Sequence, residues 1–394
     1  MAMEKSLILV ANPGSASRKY ALYRGSQLRA SLHFEYSKGH VVCTLEHNSK
    51  HRQLTVNLSD INTAAELVGG LLQQNGVLQT SEYISHIGLR VVAPSNFFLK
   101  DHLVDDNVLS RLKTLAIRAP LHINATLDEL RQLRQQFPKA QVVGVSDSAF
   151  HITKPEHAWN YGLPLEDADR LEIKRFGYHG LSAASVVETL RTTEKLPPKL
   201  IIAHLGSGTS ITAVDNGKSI DTTMGYSPLE GTIMGTRCGS IDITAAQALK
   251  VALGYNDDQL DEYLNRRSGL LGLGGSADIR QLLQRQTDGD QRARLALQTY
   301  VYSVQKAIGQ MTAALGGVDM LVFTGTVGER SAPIRERITA PLHYLDLALD
   351  KHANDECRAP TKPTKISQLG ESKPICVIPS QEAAHIAQRV TALL

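Results

Sequence analysis

Short apolar runs alternate along the chain with polar stretches rich in Gly, Ser and Thr, and the apolar period switches between 2 and about 3.6. Residues 6–11 are almost wholly apolar and run into the small-residue segment 12–17, which predicts a strand and then a loop. Further strands are predicted at 19–23, 40–46 and 54–58, and helical spacing of apolar positions at 61–74. Residues 83–92 predict a strand ending in a loop. Residues 127–136 read as a helix with Thr126 as its cap and Glu129 three positions on, the pattern of a capping box. The run AQVVGVSD predicts a buried strand that ends at Asp147.

A boundary falls at 148–170, where PEHAWNYGLPLEDAD mixes turn-formers with charge. The opening arrangement then returns. Residues 200–204 predict a strand, 206–210 a glycine-rich loop, and Asn216-Gly217 the turn of a hairpin. Residues 290–314 predict a long helix, 321–329 a strand, a glycine turn and a helix start, and 360–365 a surface loop. A last strand and a short helix close the chain. Gly14-Ser15-Ala16-Ser17 and Gly206-Ser207-Gly208-Thr209 each follow an apolar strand-like run. Duplicated α/β halves would leave such an echo, and so would chance similarity between two strand–turn segments.

Composition narrows the classes. The 394 residues and 43.0 kDa suggest two domains. Lys and Arg total 42 against 39 Asp and Glu, and this excess of +3 is too small to suggest a dedicated nucleic-acid surface. The four cysteines, Cys43, Cys238, Cys357 and Cys376, have no CxxC spacing, which favours reduced thiols over a disulfide scaffold or a zinc cluster. The apolar run near the start is short for a signal peptide, and no uninterrupted apolar stretch is long enough to span a bilayer. A cytoplasmic protein with no membrane partner is the expectation.

Loops rich in Gly, Ser and Thr let backbone N–H groups approach phosphate oxygens closely. Segments 12–17, 206–210 and 325–328 are of this type, although each taken singly also reads as an ordinary turn. None matches GxxxxGK[ST], nor GxGxxG in its required context, so neither a P-loop protein nor a nicotinamide-binding domain is supported.

The ordered series ILVANPGSASRK, LRVV, APLH, VSDSAFH, RFGYHG, AHLGSGTSITAV, DTTMGYSPLEGTIMGTRCGSID, RRSGLLGLGGSADIR, VFTGTVGERSAPIRE and VIPSQEAAHIA covers essentially the full length. In this series the chain resembles the acetate and propionate kinase family. The resemblance implies an α/β fold of two related actin-like ATPase domains, of the acetate and sugar kinase/heat-shock ATPase/actin superfamily, with duplicated ribonuclease-H-like cores. It implies domains at 1–148 and 149–380, with 381–394 returning to the first. It also implies a homodimer and Mg2+- and ATP-dependent phosphorylation of a short-chain carboxylate to an acyl phosphate, reversible with ADP.

The resemblance carries roles to individual residues. Asn12 and Glu382 would support the metal, and Ser15, Ser17 and Lys19 would face phosphate in the first loop. Asp147, His179, Arg237, Arg90 and, more weakly, His122 would be catalytic. Two arginines would neutralise the transferring phosphoryl group's equatorial oxygens and position the carboxylate. His204, Gly206, Ser207, Gly208, Asp278, Arg280, Gly325, Gly328 and Glu329 would bind nucleotide, and Arg90, Val92, Leu121, Tyr178 and Pro228 would form the acceptor pocket. Without the resemblance, the acids read as helix or turn caps, the arginines as structural ion pairs and the histidines as packed imidazoles. The chain departs from the family pattern in LRVVAPS, HLGSG, GTVGER, Pro13 and Arg18, with Ser207, Thr326 and Arg330 as the altered nucleotide-side positions. A propionate or longer-acid kinase and a catalytically inactive nucleotide-binding homologue are the alternatives.

Overall fold

The computed structural model describes residues 6–14, 17–37, 39–117, 120–193, 195–370 and 372–394, and for 120–122 only the backbone. The chain divides into two compact units, the first running up to Ala149 and including Gln381–Leu394, the second spanning Phe150–Ser380. Among the described residues no helix is long and apolar enough to cross a membrane.

The first unit holds strands β1 (Leu7–Pro13), β2 (Ser17–Arg24), β3 (Gln27–Ser37), β4 (His40–His47), β5 (Lys50–Leu54), β6 (Ile84–Val91), β7 (His102–Leu103) and β8 (Gln141–Ser146) in one sheet ordered β5-β4-β3-β2-β1-β6-β8-β7. β1 runs parallel to β6, and β6 to β8, while β1–β5 form an antiparallel meander. Leu7, Leu9, Ala11, Ile87 and Leu89 share a core with helices Ala65–Gln74, Asp106–Ala116 and Pro120–Gln136. The terminal helix Glu382–Leu393 covers the opposite face: a Cβ on Gly88 would lie 2.7 Å from Ile386 and Val390. Helices on both faces explain why β1 is apolar at successive positions rather than alternating.

The second unit repeats this plan with β9 (Lys199–Leu205), β10 (Thr209–Asp215), β11 (Lys218–Thr222), β12 (Met320–Thr324), β13 (Thr364–Lys365) and β14 (Ile375–Val377), ordered β11-β10-β9-β12-β14-β13. Its first strand again pairs antiparallel with the second and parallel with a later one. Ile201, Ala203, Leu321 and Phe323 pack on helix Gln291–Leu315, while Leu200, Ile202, Met320 and Val322 pack on helix Gly180–Thr193. The turns β1–β2 and β9–β10 therefore occupy equivalent positions in the two sheets, and the short echo between them marks a repeat of topology.

Several expectations need correction. Helix 127–136 begins earlier, at Pro120, so Thr126 lies in its interior and Glu129 is no capping partner; Glu129 is buried and accepts from Tyr20 Oη at 2.6 Å. The strand expected at 54–58 ends at Leu54, because its apolar Val56 and Leu58 pack on the core without pairing, while the polar Lys50–Leu54 completes the sheet edge. β3 has no separate prediction in the sequence. The helix over 61–74 is a 3-10 turn, Ile61–Thr63, followed by Ala65–Gln74. Both small-residue loops are shorter than expected, since β1 continues through Pro13 and β10 starts at Thr209. Asn216 and Gly217 both take positive φ, at 47° and 80°, as a type I′ hairpin turn requires. Asp290 caps the long helix by accepting from Arg292 and Ala293.

The contact at Gly88 yields a stability test. Gly88→Ala would force its new methyl into Ile386 and Val390, and the urea midpoint should fall by an equivalent of about 1–3 kcal/mol. An unchanged midpoint would refute the close packing.

Candidate active site

Three strand ends and one helix start meet in the first unit. β1 delivers Asn12, β6 delivers Arg90, the residue after β8 is Asp147, and Glu382 opens the terminal helix. Asn12 Nδ2 donates to Glu382 Oε2 at 2.6 Å, Arg90 Nη1 to Asn12 Oδ1 at 3.2 Å, and Arg90 Nη2 to Asp147 Oδ2 at 2.7 Å. Burial by itself would lower the Arg90 pKa, but the Asp147 and Glu382 carboxylates outweigh it and hold the guanidinium above its ordinary value. Lys19 pairs directly with Asn12 across β1 and β2, so the two side chains share a face, and Lys19 is exposed. Val92 follows β6 half-buried, and Ser17 opens β2. Ser15 and the side chains of Leu121 and His122 lie outside the described residues.

The second unit gathers the imidazoles and glycines. His179 sits at φ 57°, immediately before helix Gly180–Thr193, a left-handed conformation that costs a non-glycine residue about 1–3 kcal/mol. Its Nδ1 lies 3.0 Å from Ser210 Oγ, and its ring stacks on His204 with centroids 4.1 Å apart. His204 Nδ1 lies 2.8 Å from Ser182 Oγ. A Cβ on Gly208 would stand 3.1 Å from Arg237 Nη1 and 3.2 Å from His179 Nε2, so this glycine keeps a guanidinium and an imidazole close together. Gly206 and Gly325 approach His204 in the same way, with hypothetical Cβ atoms 3.3 and 3.1 Å from its Nε2. Arg237, 8% exposed, also donates to the Pro228 carbonyl at 3.3 Å. Pro228 is buried, and Tyr178 Oη holds the same segment through the Tyr226 carbonyl at 2.7 Å.

Other sequence-selected residues have well-defined local partners. Glu329 Oε1 accepts the backbone N–H groups of Gly325 and Ser380, both at 3.0 Å, and so fixes the turn after β12. Gly328 packs against Phe323 and Leu205. Asp278 caps helix Ile279–Thr287 and is bonded twice by the Arg280 guanidinium, at 3.0 and 2.7 Å. These hydrogen bonds hold its carboxyl below the usual range, against burial. The Ser207 carbonyl accepts from Gly235 N at 3.1 Å, and a Cβ on Gly235 would lie 3.6 Å from Ala277, so the segment carrying Asp278 borders the β9–β10 turn.

The structure also explains the departure at Arg18. Its guanidinium is buried, donates to the Gly14 carbonyl and to Asn62 Oδ1, and faces Glu129 Oε2 at 3.6 Å. The cation thus has an anion within reach beneath the first loop. Thr326 and Arg330 are exposed, and Ser95 caps the 3-10 turn Asn96–Leu99. Sequence inspection missed Ser182 and Ser210, which orient the two imidazoles. Their only signal is position: Ser182 lies three residues after His179, and Ser210 on β10 just past Gly208.

A twice-repeated five-strand core, each copy with helices on both faces and a short turn after its first strand, defines a two-domain α/β fold of the actin-like ATPase class, shared with solved acetate and propionate kinases. The profile of the acetokinase family matches residues 7–388. An acetate kinase of Streptomyces coelicolor is 37% identical, with 100% of this chain and 98% of that protein covered. The solved propionate kinase from Francisella tularensis subsp. tularensis SCHU S4 is 34% identical, covers 98% of each chain and has a TM-score of 0.86. For Porphyromonas gingivalis acetate kinase the identity is 32%, the coverage 99% of this chain and 100% of that one, and the TM-score 0.83. The chain belongs to the acetokinase family. It is therefore a kinase, a phosphotransferase that uses ATP and ADP.

The glycine between Arg237 and His179 provides a direct check. Gly208→Ala should displace one or both groups by a few tenths of an ångström and lower turnover about 10-fold, with the unfolding midpoint little changed. Wild-type turnover in a folded Gly208→Ala protein would show that the close approach has no catalytic consequence.

Proposed function

We propose that the chain transfers the terminal phosphoryl group of ATP in line to the carboxylate of a short-chain acid, acetate foremost, and runs the reverse reaction with ADP. The observation that supports this most is the approach of Arg237 Nη1 and His179 Nε2 to the same open position on Gly208, in the turn after β9, where a Cβ would stand 3.1 and 3.2 Å from them. A cation and a hydrogen-bonding imidazole held at a glycine-lined turn suit a group whose transfer depends on positioning and on charge stabilisation. Arg237 neutralises phosphoryl oxygens, and His179, its Nδ1 occupied by Ser210, presents Nε2 to the transferred group. Arg90 supplies a second fixed cation for phosphoryl or carboxylate oxygens, and Asp147 holds it in place. An acceptor carboxylate is already ionised near neutral pH, so Asp147 is not needed as a general base.

Glu382 offers a hard carboxylate oxygen, and Asn12, whose own oxygen accepts from Arg90, holds that carboxylate through its amide. Among the described residues no group of three His, Cys, Asp or Glu could hold a metal ion. A carboxylate held in this way nevertheless fits magnesium, which keeps several waters and takes its remaining ligands from nucleotide phosphates, with Asn12 organising the site. When bound it would neutralise phosphate charge. Gly206, Ser207, Gly208, Gly325 and Gly328 line the nucleotide side, with Asp278 and Arg280 towards adenosine and Ser17 and Lys19 at the first phosphate loop.

Tyr178 and Pro228, brought together in the second unit, would bound the acid's apolar end, and the likeness to the Francisella propionate kinase makes propionate the second acceptor to consider. The chain works as a homodimer in this proposal. Helix Ile243–Leu253 supports it, leaving Ile243 71% and Val251 83% exposed, an apolar face suited to a second copy.

Purified protein given Mg2+, ATP and a panel of acetate, propionate and butyrate should yield an acyl phosphate trapped by hydroxylamine. ATP binding without product from any acid would favour an inactive homologue and refute the kinase proposal. Arg237→Ala should lower kcat about 100- to 1000-fold, and an unchanged rate would remove its transition-state role. Light scattering should report a dimer that Val251→Glu shifts towards monomer; a wild-type monomer would overturn the proposed assembly.

A further inference from the structure

The terminal helix is tied to the first unit at two points. At its first residue, Glu382 is linked through Asn12 and Arg90 to Asp147. One heptad further on, Arg389 Nε donates to Asp101 Oδ2 at 2.7 Å. Asp101 Oδ1 accepts in turn from the backbone N–H of Ser146 at 2.9 Å, and Ser146 is the residue before Asp147. The ties form a ring: Glu382, Asn12, Arg90, Asp147, the Ser146 peptide, Asp101, Arg389 and back along the helix. Residues seven apart on a helix come within about 20° of the same direction, so Glu382 and Arg389 project from nearly one face.

Asp101 differs from an ordinary surface ion-pair partner. Its side chain is 8% exposed, and each of its oxygens has a separate donor. The backbone it holds is committed elsewhere as well. Ser146 Oγ donates to the Phe98 carbonyl and accepts from Ser148 N, and Asp147 N donates to the Val91 carbonyl. The end of β8 is thus fixed from several sides. Through its bond to Asp101, Arg389 carries this fixed point to the far part of the helix. The apolar contact of Ile386 and Val390 with Gly88 sets how closely the helix approaches the sheet and which face it turns inward, and the polar ties pin it at Glu382 and Arg389 to particular positions, Asn12 and Asp101.

We infer that Asp101 and Arg389 are positioning residues for the acidic end of the site. They set the register of helix Glu382–Leu393 against β8, so that Glu382 and Asp147 keep the spacing that Asn12 and Arg90 bridge. Its consequence for magnesium rests on the metal role proposed above for Asn12 and Glu382.

The test compares Arg389→Met, Arg389→Lys and Asp101→Asn with wild type in three measurements. These are magnesium-dependent ADP binding by calorimetry, the magnesium dependence of acyl-phosphate formation, and thermal unfolding. Arg389→Met should raise the magnesium concentration for half-maximal nucleotide binding about 10-fold, with a matching shift in the activity curve. Asp101→Asn, which keeps an acceptor for Ser146 but loses the ion pair, should shift it in the same direction. Arg389→Lys should restore most of the wild-type value. A lower melting temperature with an unchanged magnesium requirement would overturn the inference, as would a Lys variant no better than Met. If wild type forms no acyl phosphate yet Arg389→Met still weakens magnesium-dependent binding, the kinase proposal fails and the positioning role stands.

Discussion

Arg90 places a permanent cation among the ends of β1, β6 and β8, and the first unit is arranged around keeping that cation satisfied. Burial works against it, and the opposing carboxylates of Asp147 and Glu382 come from opposite ends of the chain's first unit. A buried cation that loses one partner is far less stable than one fully paired, so the strand ends and the terminal helix are coupled through it. Asn12 is the spacer. Its amide donates to Glu382 while its oxygen accepts from Arg90, so one short side chain connects an anion and a cation with both of its polar ends used. The same electrostatic need accounts for the chain's return: without Glu382 beside β1, the Asn12 amide would lack this anion.

The second unit solves a different problem, close approach rather than charge pairing. His179, His204 and Arg237 crowd onto the turns after β9 and β12, and glycines at 206, 208 and 325 leave room for them. Gly325 also needs its positive φ, and its hypothetical Cβ would stand 2.8 Å from the Leu205 carbonyl. Hydroxyl partners then select ring orientation, Ser210 for His179 and Ser182 for His204. His151 belongs to the same support. Burial drives its pKa down to about 3, so it stays neutral, and its ring bonds the Tyr178 carbonyl and Ser219.

How much of this the sequence showed depends on the range of each interaction. β1, the Asn216-Gly217 hairpin and the long helix starting near Asp290 were legible because hydrophobic period and turn chemistry are local. The apparent capping box at Thr126 failed for the same reason, since a local pattern was satisfied by chance inside a longer helix whose Glu129 serves the core. The edge strand Lys50–Leu54 is polar and exposed, and forms because β4 offers unpaired backbone groups. No periodicity connects Asn12 with Glu382, so that pairing was reachable only through the family resemblance. The Asp101–Arg389 tie lay beyond both, because it joins a loop residue to a helix residue that no motif contains.

Arg18 shows how the first loop can depart from the family pattern without losing the charged set beside it. A cation at a buried position is tolerable only with an anion and hydrogen-bond acceptors close by. Glu129 supplies the anion, and Gly14 and Asn62 supply acceptors. Burial raises the Glu129 pKa, while the Tyr20 hydrogen bond and Arg18 pull it back towards the ionised form. The substitution is therefore compensated by Glu129 from a helix, Asn62 from the 3-10 turn Ile61–Thr63 and the Gly14 carbonyl at the loop's own start. Asn12, on the adjoining strand, keeps both of its hydrogen bonds to Arg90 and Glu382. The change at the loop's base and the ionic chain at its side are separate networks on neighbouring strands, and this separation lets one vary while the other is retained.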